Sequence, residues 1–278
     1  MPRNIFDYIN EGSLPHSWCA GCGNGIILRS IAEALVELDL DPKKVVVVTG
    51  IGCWGKADTY MKTNGLHVTH GRALAAATGV KAANPELKVI ALMGDGDSVT
   101  IGGNHFIHAA RRNMDITAII SNNFNYGMTG GQYSGTTPES SNTTTSRYGS
   151  VEPPFDICEL AKAAGAPYVA RATVYHGGLL EKYIKKAISK KGFSAIDVIN
   201  ICPTHYGSNN KMKSPIDMMK WLKDRSTMKI DEGNISESRF ALGEFVDVDR
   251  LDFMTKYLSV QKAAMEQLSN LKIESDAK

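Results

Sequence analysis

The sequence predicts an α/β fold: a mostly parallel sheet with helices on both faces, followed by a helical and irregular C-terminal extension. Three observations predict it. Short runs of Val, Ile and Leu alternate with segments whose apolar residues recur at helical spacing. The runs are continuously apolar, as strands covered on both faces are. Several of them open directly into Gly, Asp, Asn or Cys, and ligands of such sheets sit beyond the carboxyl ends of the strands.

Taken in order, residues 1–18 read as an arm. Cys19 to Gly25 (CAGCGNG) is a tight loop in which glycines let backbone come close. Ile26, Ile27, Ile31, Ala34, Leu35 and Leu38 predict a helix that Asp41-Pro42 ends. Residues 44–49 are a buried strand running into the turn Gly50-Ile51-Gly52-Cys53. After a loop rich in His and Gly, Arg72 to Ala83 is a helix of small residues, built to pack closely on a neighbour. The strand 88–93 opens into Gly94-Asp95-Gly96-Asp97; a helix over 104–112 and a strand over 116–120 follow, ending in Ser121-Asn122-Asn123. A polar segment from Phe124 to about Val151 is an ordered loop. Then come a helix (155–164), a strand (168–172), a helix (179–190) and a strand (194–201) that delivers Cys202-Pro203. Beyond it, 205–215 is loop, 215–224 helix, 232–250 irregular and 251–271 helix, with a frayed end. The chain divides into a ligand-binding domain, 1–205, and an extension, 206–278.

Composition sets bounds. With 43% apolar residues a substantial core can be buried. A net charge of +2 is too mild to argue for nucleic acid. No apolar run approaches a membrane span, and the N-terminus lacks a signal-peptide pattern, so a cytoplasmic protein is expected.

Cys19, Cys22, Cys53 and Cys202 lie in loops, where thiolates serve as metal ligands, and cytosolic disulfides are rare. Four thiolates suit either zinc or an iron–sulfur cluster. Zinc sites usually pair two Cys-x-x-Cys units, and a second is missing; a proline after the last cysteine is common at clusters. Cys158, at an apolar helical position, is an ordinary core residue. Gly94-Asp95-Gly96 alone is a turn signal. With Asn123 at the end of the next strand, one carboxylate and one amide oxygen can hold a hard cation such as Mg²⁺, which usually shares its ligands with phosphate; the glycines admit backbone N–H groups to that phosphate. His70, before a helix N-terminus, is placed for an anion. His67, His105 and His108 read equally as packing or surface residues, and Arg111-Arg112 as cations at a helix C-terminus. Trp18 and Trp54 flank thiols and can shield them from water. Tyr126 and Gln132 are placed near a substrate.

Gly-Asp-Gly followed by Asn-Asn resembles the thiamine diphosphate motif. The runs GDGDSVTIGGNHFIHAARRN and NNFNYGMTGGQYSGTTP, with WCAGCGNG, TGIGCWGK, HGRALAAATGVKAANP and ICPT, resemble the thiamine-binding β subunit of the 2-oxoacid:ferredoxin oxidoreductases, over about residues 15–210. The resemblance implies the thiamine diphosphate-binding fold. It implies Mg²⁺ held by Asp95, Asn123 and the carbonyl of Asn125, with Asn122 the alternative to Asn123. Gly94, Gly96, Asp97, Gly127 and Met128 would line the diphosphate. Ile51, Gly52, Cys53 and Trp54, with His70, Gly71 and Arg72, would approach the cofactor from the other side. Cys19, Cys22, Cys53 and Cys202 would bind one 4Fe–4S cluster.

The implied reaction is coenzyme A-dependent oxidative decarboxylation of a 2-oxoacid, with electrons passing to ferredoxin. 2-Oxoglutarate is the expected substrate, on the general look of the N-terminal segment. The activating glutamate is expected on a separate α subunit with the pyrimidine-binding domain, so no catalytic side chain is assigned to this chain alone. A hetero-oligomer is expected, α₂β₂ or with further small subunits, the 206–278 extension packing on the partner. The alternatives are a non-oxidative thiamine-dependent decarboxylase subunit, which has no need of four cysteines, and a non-enzymatic electron-transfer module, which leaves the Gly-Asp-Gly and Asn-Asn pairing unexplained.

Overall fold

The structure, a computed structural model, describes residues 3–212, 214–228 and 239–276, with side chains described as far as 269. Its centre is an eight-stranded sheet in the order β2-β1-β3-β4-β6-β5-β8-β7. The strands are β1 (Val45–Thr49), β2 (Asn64–His67), β3 (Lys88–Gly94), β4 (Ile116–Asn122), β5 (Tyr168–Thr173), β6 (Ser194–Ile199), β7 (Ser226–Met228) and β8 (Phe240–Asp247). All pairs are parallel except β5 with β8. The chain steps outward through β1, β3 and β4, then passes to β5 and returns through β6, so strand order reverses beside β4.

Alternate strand residues feed two cores. On one face Val45, Val47, Ile90, Leu92, Ile119 and Ile196 pack against α1 (Asn24–Glu37) and α5 (Gly177–Ser189). On the other, Val46, Val48, Val89, Ala91, Ala118 and Ile120 pack against α2 (Ala73–Ala83), α3 (Gly103–Arg112) and α4 (Ile157–Ala163). The small residues of α2 bring its backbone close to the sheet, as expected, with Ala73 and Ala77 fully buried. Cys158 is buried on α4 in this second core, well away from solvent, as the core assignment expects.

Two expectations fail. The segment 3–18 is no free arm: Tyr8 is fully buried and its hydroxyl donates to the Leu40 carbonyl at 2.5 Å, while Ile9 bridges to Met61. The stretch expected to be irregular, 232–250, contains β8, which pairs antiparallel with β5; its part from 232 to 238 lies outside the described residues. The strand was hidden because β8 carries Gly243 and Glu244 and is only partly buried, which breaks the apolar run. The edge strand β2 is exposed along its length and has no apolar signal at all.

Helix α6 (Pro215–Arg225) starts with a capping box, Ser214 and Asp217, and Pro215 in its first turn. Helix α7 (Phe253–Asp276) is anchored by Met254 in the second core and then runs exposed as far as its side chains are described. Among the described residues no helix is long and apolar enough to cross a membrane.

Candidate active site at the carboxyl rim of the sheet

The ends of β1, β3 and β4 open on one cleft, about 510 Å³ with the space open to solvent included. Ile51, Gly52, Cys53 and Trp54 line it from the turn after β1; Gly94, Asp95, Gly96 and Asp97 from the turn after β3; Asn123, Asn125, Tyr126, Gly127, Met128 and Thr129 from the loop after β4; and His70 from the loop before α2. Of the residues expected around a cofactor, Gly71 and Arg72 do not line it. Gly71 is buried behind it, and Arg72 is exposed and hydrogen-bonds His105 instead.

The turn after β3 is a π turn, Gly96–Thr100, closed by Ile101 N–H on the Gly96 carbonyl at 2.9 Å. Such turns are rare and concentrate at functional sites. Its glycine makes room for a neighbour: a Cβ at Gly96 would fall 2.1 Å from a ring carbon of Tyr126, which would have to shift. Asp95, at its head, is 2% exposed. Its Oδ2 accepts from the Thr136 hydroxyl at 2.7 Å and from the Ser134 hydroxyl. Burial pushes the Asp95 carboxyl up to about 6, the two hydroxyls pulling the other way. Ser134 and Thr136 were missed in sequence because a Ser- and Thr-rich loop offers many equivalent hydroxyls.

Beyond β4, Phe124 adopts φ 63°, a left-handed backbone that costs a non-glycine residue about 1–3 kcal/mol. Its ring stacks on Phe240 of β8 at 5.7 Å and its carbonyl accepts from Thr137 Oγ1 at 2.7 Å. This anchors Phe124 in the core while Asn123 and Asn125, on either side, both line the cleft. Asn123 Oδ1 accepts from Asn125 N–H at 3.3 Å, and Asn125 Oδ1 is buried without a partner. Asn122 turns away: its amide donates to Asp197 at 3.2 Å within the sheet. Alternation along the strand thus separates the two members of the Asn pair.

The thiols gather on the same rim. A Cβ at Gly127 would lie 3.4 Å from Asn125 Oδ1, 3.6 Å from Cys202 Sγ and 3.7 Å from Cys53 Sγ. Burial, and then the neighbouring thiols of Cys202, Cys53 and Cys19, push the Cys22 thiol up to about 12, while the Asn24 N–H pulls down. Burial raises Cys53 as well, with Cys202 and Cys19 adding to it. Cys19 is exposed. Among the described residues no three His, Cys, Asp or Glu side chains draw together closely enough to hold one metal ion. Trp18 and Trp54 are buried with ring centroids 5.6 Å apart, and Trp18 Nε1 donates to the Cys53 carbonyl at 2.6 Å.

A buried polar triangle, also missed in sequence, holds the thiol-bearing segments together. Asn200 Nδ2 donates to Asn24 Oδ1 at 2.7 Å and to Ser121 Oγ at 2.8 Å; Ser121 Oγ donates to Asn24 Oδ1 at 2.9 Å. Asn24 opens α1, two residues after Cys22; Asn200 stands two before Cys202; Ser121 is on β4. A second π turn, Pro203–Gly207, follows Cys202, with Gly207 N–H on the Cys202 carbonyl at 2.9 Å.

The chain is similar to known proteins along most of its length. Residues 50–198 match the family described as thiamine pyrophosphate enzyme, C-terminal TPP binding domain. The chain is 47% identical over 248 residues to the 2-oxoglutarate synthase subunit KorB of Methanothermobacter marburgensis, covering 87% of each. It is 40% identical over 225 residues to subunit beta of the 2-oxoacid:ferredoxin oxidoreductase 2 of Aeropyrum pernix, covering 81% of this chain and 70% of that one. Among solved structures it superposes on a 2-oxoglutarate:ferredoxin oxidoreductase from Magnetococcus marinus with a TM-score of 0.84 and 29% identity, covering 94% of this chain and 91% of that one. That structure carries 2-oxoglutarate, coenzyme A and succinyl-CoA. A thiamine pyrophosphate-binding domain over more than half of the chain, together with relatives matched along most of their length, makes this protein a member of the β-subunit family of the 2-oxoacid:ferredoxin oxidoreductases.

Proposed function

We propose that this chain, with a separate α subunit bearing the pyrimidine-binding domain, carries out coenzyme A-dependent oxidative decarboxylation of a 2-oxoacid, 2-oxoglutarate above all, in the cytoplasm, with ferredoxin as electron acceptor. The observation that carries the reading is the shared wall: Cys53 lines the cleft headed by Asp95 and stands with Cys202 over Gly127. A redox centre on these thiols adjoins whatever occupies the cleft.

The donors fit the groups the family implies. Asp95, Asn123 and Asn125 are oxygen donors of the kind Mg²⁺ takes, and a buried carboxylate raised to about 6 gains from a cation. The unpartnered Asn125 Oδ1 adds an acceptor on the same side. Cys19, Cys22, Cys53 and Cys202 would bind a 4Fe–4S cluster, for which four thiolates are the usual donor set. When bound, thiamine diphosphate supplies the electron sink for decarboxylation. The chain's own residues do the placing. Gly96 and Asp97 offer the start of a helical turn to the diphosphate, the Ser134 and Thr136 hydroxyls fix the Asp95 carboxylate, and Trp18 holds the Cys53 turn.

The test is anaerobic purification of the complete complex, followed by viologen reduction with coenzyme A and a panel of 2-oxoacids. A brown protein containing iron and sulfide, reducing dye fastest with 2-oxoglutarate, is expected, and Cys53→Ala should lose the iron. A colourless complex that releases CO₂ without reducing dye would overturn the oxidative reading.

A further inference from the structure

On the functional reading above, the cleft takes a diphosphate, yet among the described residues that line it the one basic side chain is His70. Its imidazole Nδ1 lies 2.5 Å from Asp97 Oδ1, which also accepts from the Gly71 N–H at 2.6 Å. Tyr126 meets the ring edge-on at 5.9 Å. The carboxylate of Asp97 is enclosed, its side chain 1% exposed, whereas that of His70 is 28% exposed. It is pressed against Gly50, where a Cβ would come within 2.1 Å of Oδ2, and that oxygen is buried without a partner.

These contacts fix the roles. A buried carboxylate is costly unless hydrogen-bond donors face it, and the donors that face Asp97 are the His70 imidazole and the Gly71 N–H. With Nδ1 committed to Asp97, Nε2 is the nitrogen left for the cleft. We propose that Asp97 is a positioning residue that holds His70 with Nε2–H turned to the cleft, where it donates to the diphosphate of the bound cofactor. Asp97 then contributes to cofactor binding through His70 and its own backbone, not as a bare anion beside another.

Three variants at Asp97 and His70 separate this from a simple lining role. Thiamine diphosphate with Mg²⁺ is titrated into the anaerobically purified complex and followed by tryptophan fluorescence, with iron content read on the same samples. If the Asp97 carboxylate merely faced the diphosphate, Asp97→Asn would remove a repulsion and tighten binding. On the present inference it weakens binding by roughly 10- to 100-fold, the worth of a charge-assisted hydrogen bond, with iron unchanged. At position 70, Gln carries an amide nitrogen where Nε2 was and Asn one where Nδ1 was. His70→Gln, which keeps the cleft nitrogen but not the bond to Asp97, should lose about as much affinity as Asp97→Asn, and His70→Asn should lose more. Unchanged or tighter binding in Asp97→Asn, or affinity kept by His70→Asn and lost by His70→Gln, overturns the inference. Should Asp97→Asn fail to assemble, the His70 pair decides. A parent complex that binds no thiamine diphosphate overturns the functional reading itself, and this inference with it.

Discussion

Asn200→Ala tests whether the buried triangle sets the geometry of the rim. The substitution removes the bonds from Asn200 Nδ2 to Asn24 and Ser121, and the bond its Oδ1 accepts from Ile201 N–H at 2.7 Å. Ile201 is buried, so that N–H is left without a partner. About 1 kcal/mol for each of the two lost side-chain bonds, and about 1–3 kcal/mol for the orphaned donor, give roughly 3–5 kcal/mol in all. Unfolding entropy near 2.1 cal/mol/K per residue converts this, for 278 residues, to a fall in Tm of roughly 5–9 °C. The same change frees the start of α1 and the end of β6, and with them Cys22 and Cys202. Calorimetry of the ligand-free chain and iron analysis of the anaerobic complex are the assays, with Ser121→Ala expected to show a smaller form of both defects. An Asn200→Ala protein with the parent's Tm and full iron content would refute the idea that this triangle, and not the thiol loops themselves, brings the segments together.

Other perturbations follow from the same geometry. Gly96→Ala puts a methyl group into the Tyr126 ring, costing roughly 1–3 kcal/mol and displacing the ring toward the cleft, so thiamine diphosphate affinity should fall; normal affinity by titration would show that the ring gives way harmlessly. The folded pKa of Asp95 lies above its unfolded value near 3.9, so in the ligand-free chain the stability this group contributes is full below about pH 4 and is lost as pH rises through about 6. On the Mg²⁺ role proposed for Asp95 the carboxylate is the binding form, so Mg²⁺-dependent cofactor binding should run the opposite way and strengthen over that interval; urea titrations and binding isotherms across pH 4–7 (about the range set by those two values) check both signs, and Asp95→Asn should flatten both. Truncation after Tyr257 keeps Met254 in the core but removes the exposed apolar Val260, Met265 and Leu268; the chain should stay folded while the complex dissociates on size exclusion, and an intact assembly would refute a docking role for α7.

Much of this architecture is written locally. The apolar runs of β1, β3 and β4, and those of β5 and β6, which only Arg171 and Asp197 interrupt with charge, specify buried parallel strands without reference to anything distant. Because such strands share one polarity, the residues just past their ends must share one rim, so the meeting of Cys53, Asp95, Asn123 and Cys202 follows from the fold class. Local pattern could not find β8 or β2, whose pairing partners, and not their own residues, make them strands. Nor could it choose between Asn122 and Asn123, whose side chains differ by which face of the sheet they leave. The path of the loop that follows depends on the left-handed turn at Phe124, and the turn is held by Phe240, far along the chain. The Asn24–Ser121–Asn200 triangle and the His70–Asp97 pair are of the same kind. Each joins polar residues whose meaning appears only when backbone packing brings them into one buried place. Hydrophobic period is a property of neighbours in sequence, and a hydrogen bond between distant side chains is a property of neighbours in space.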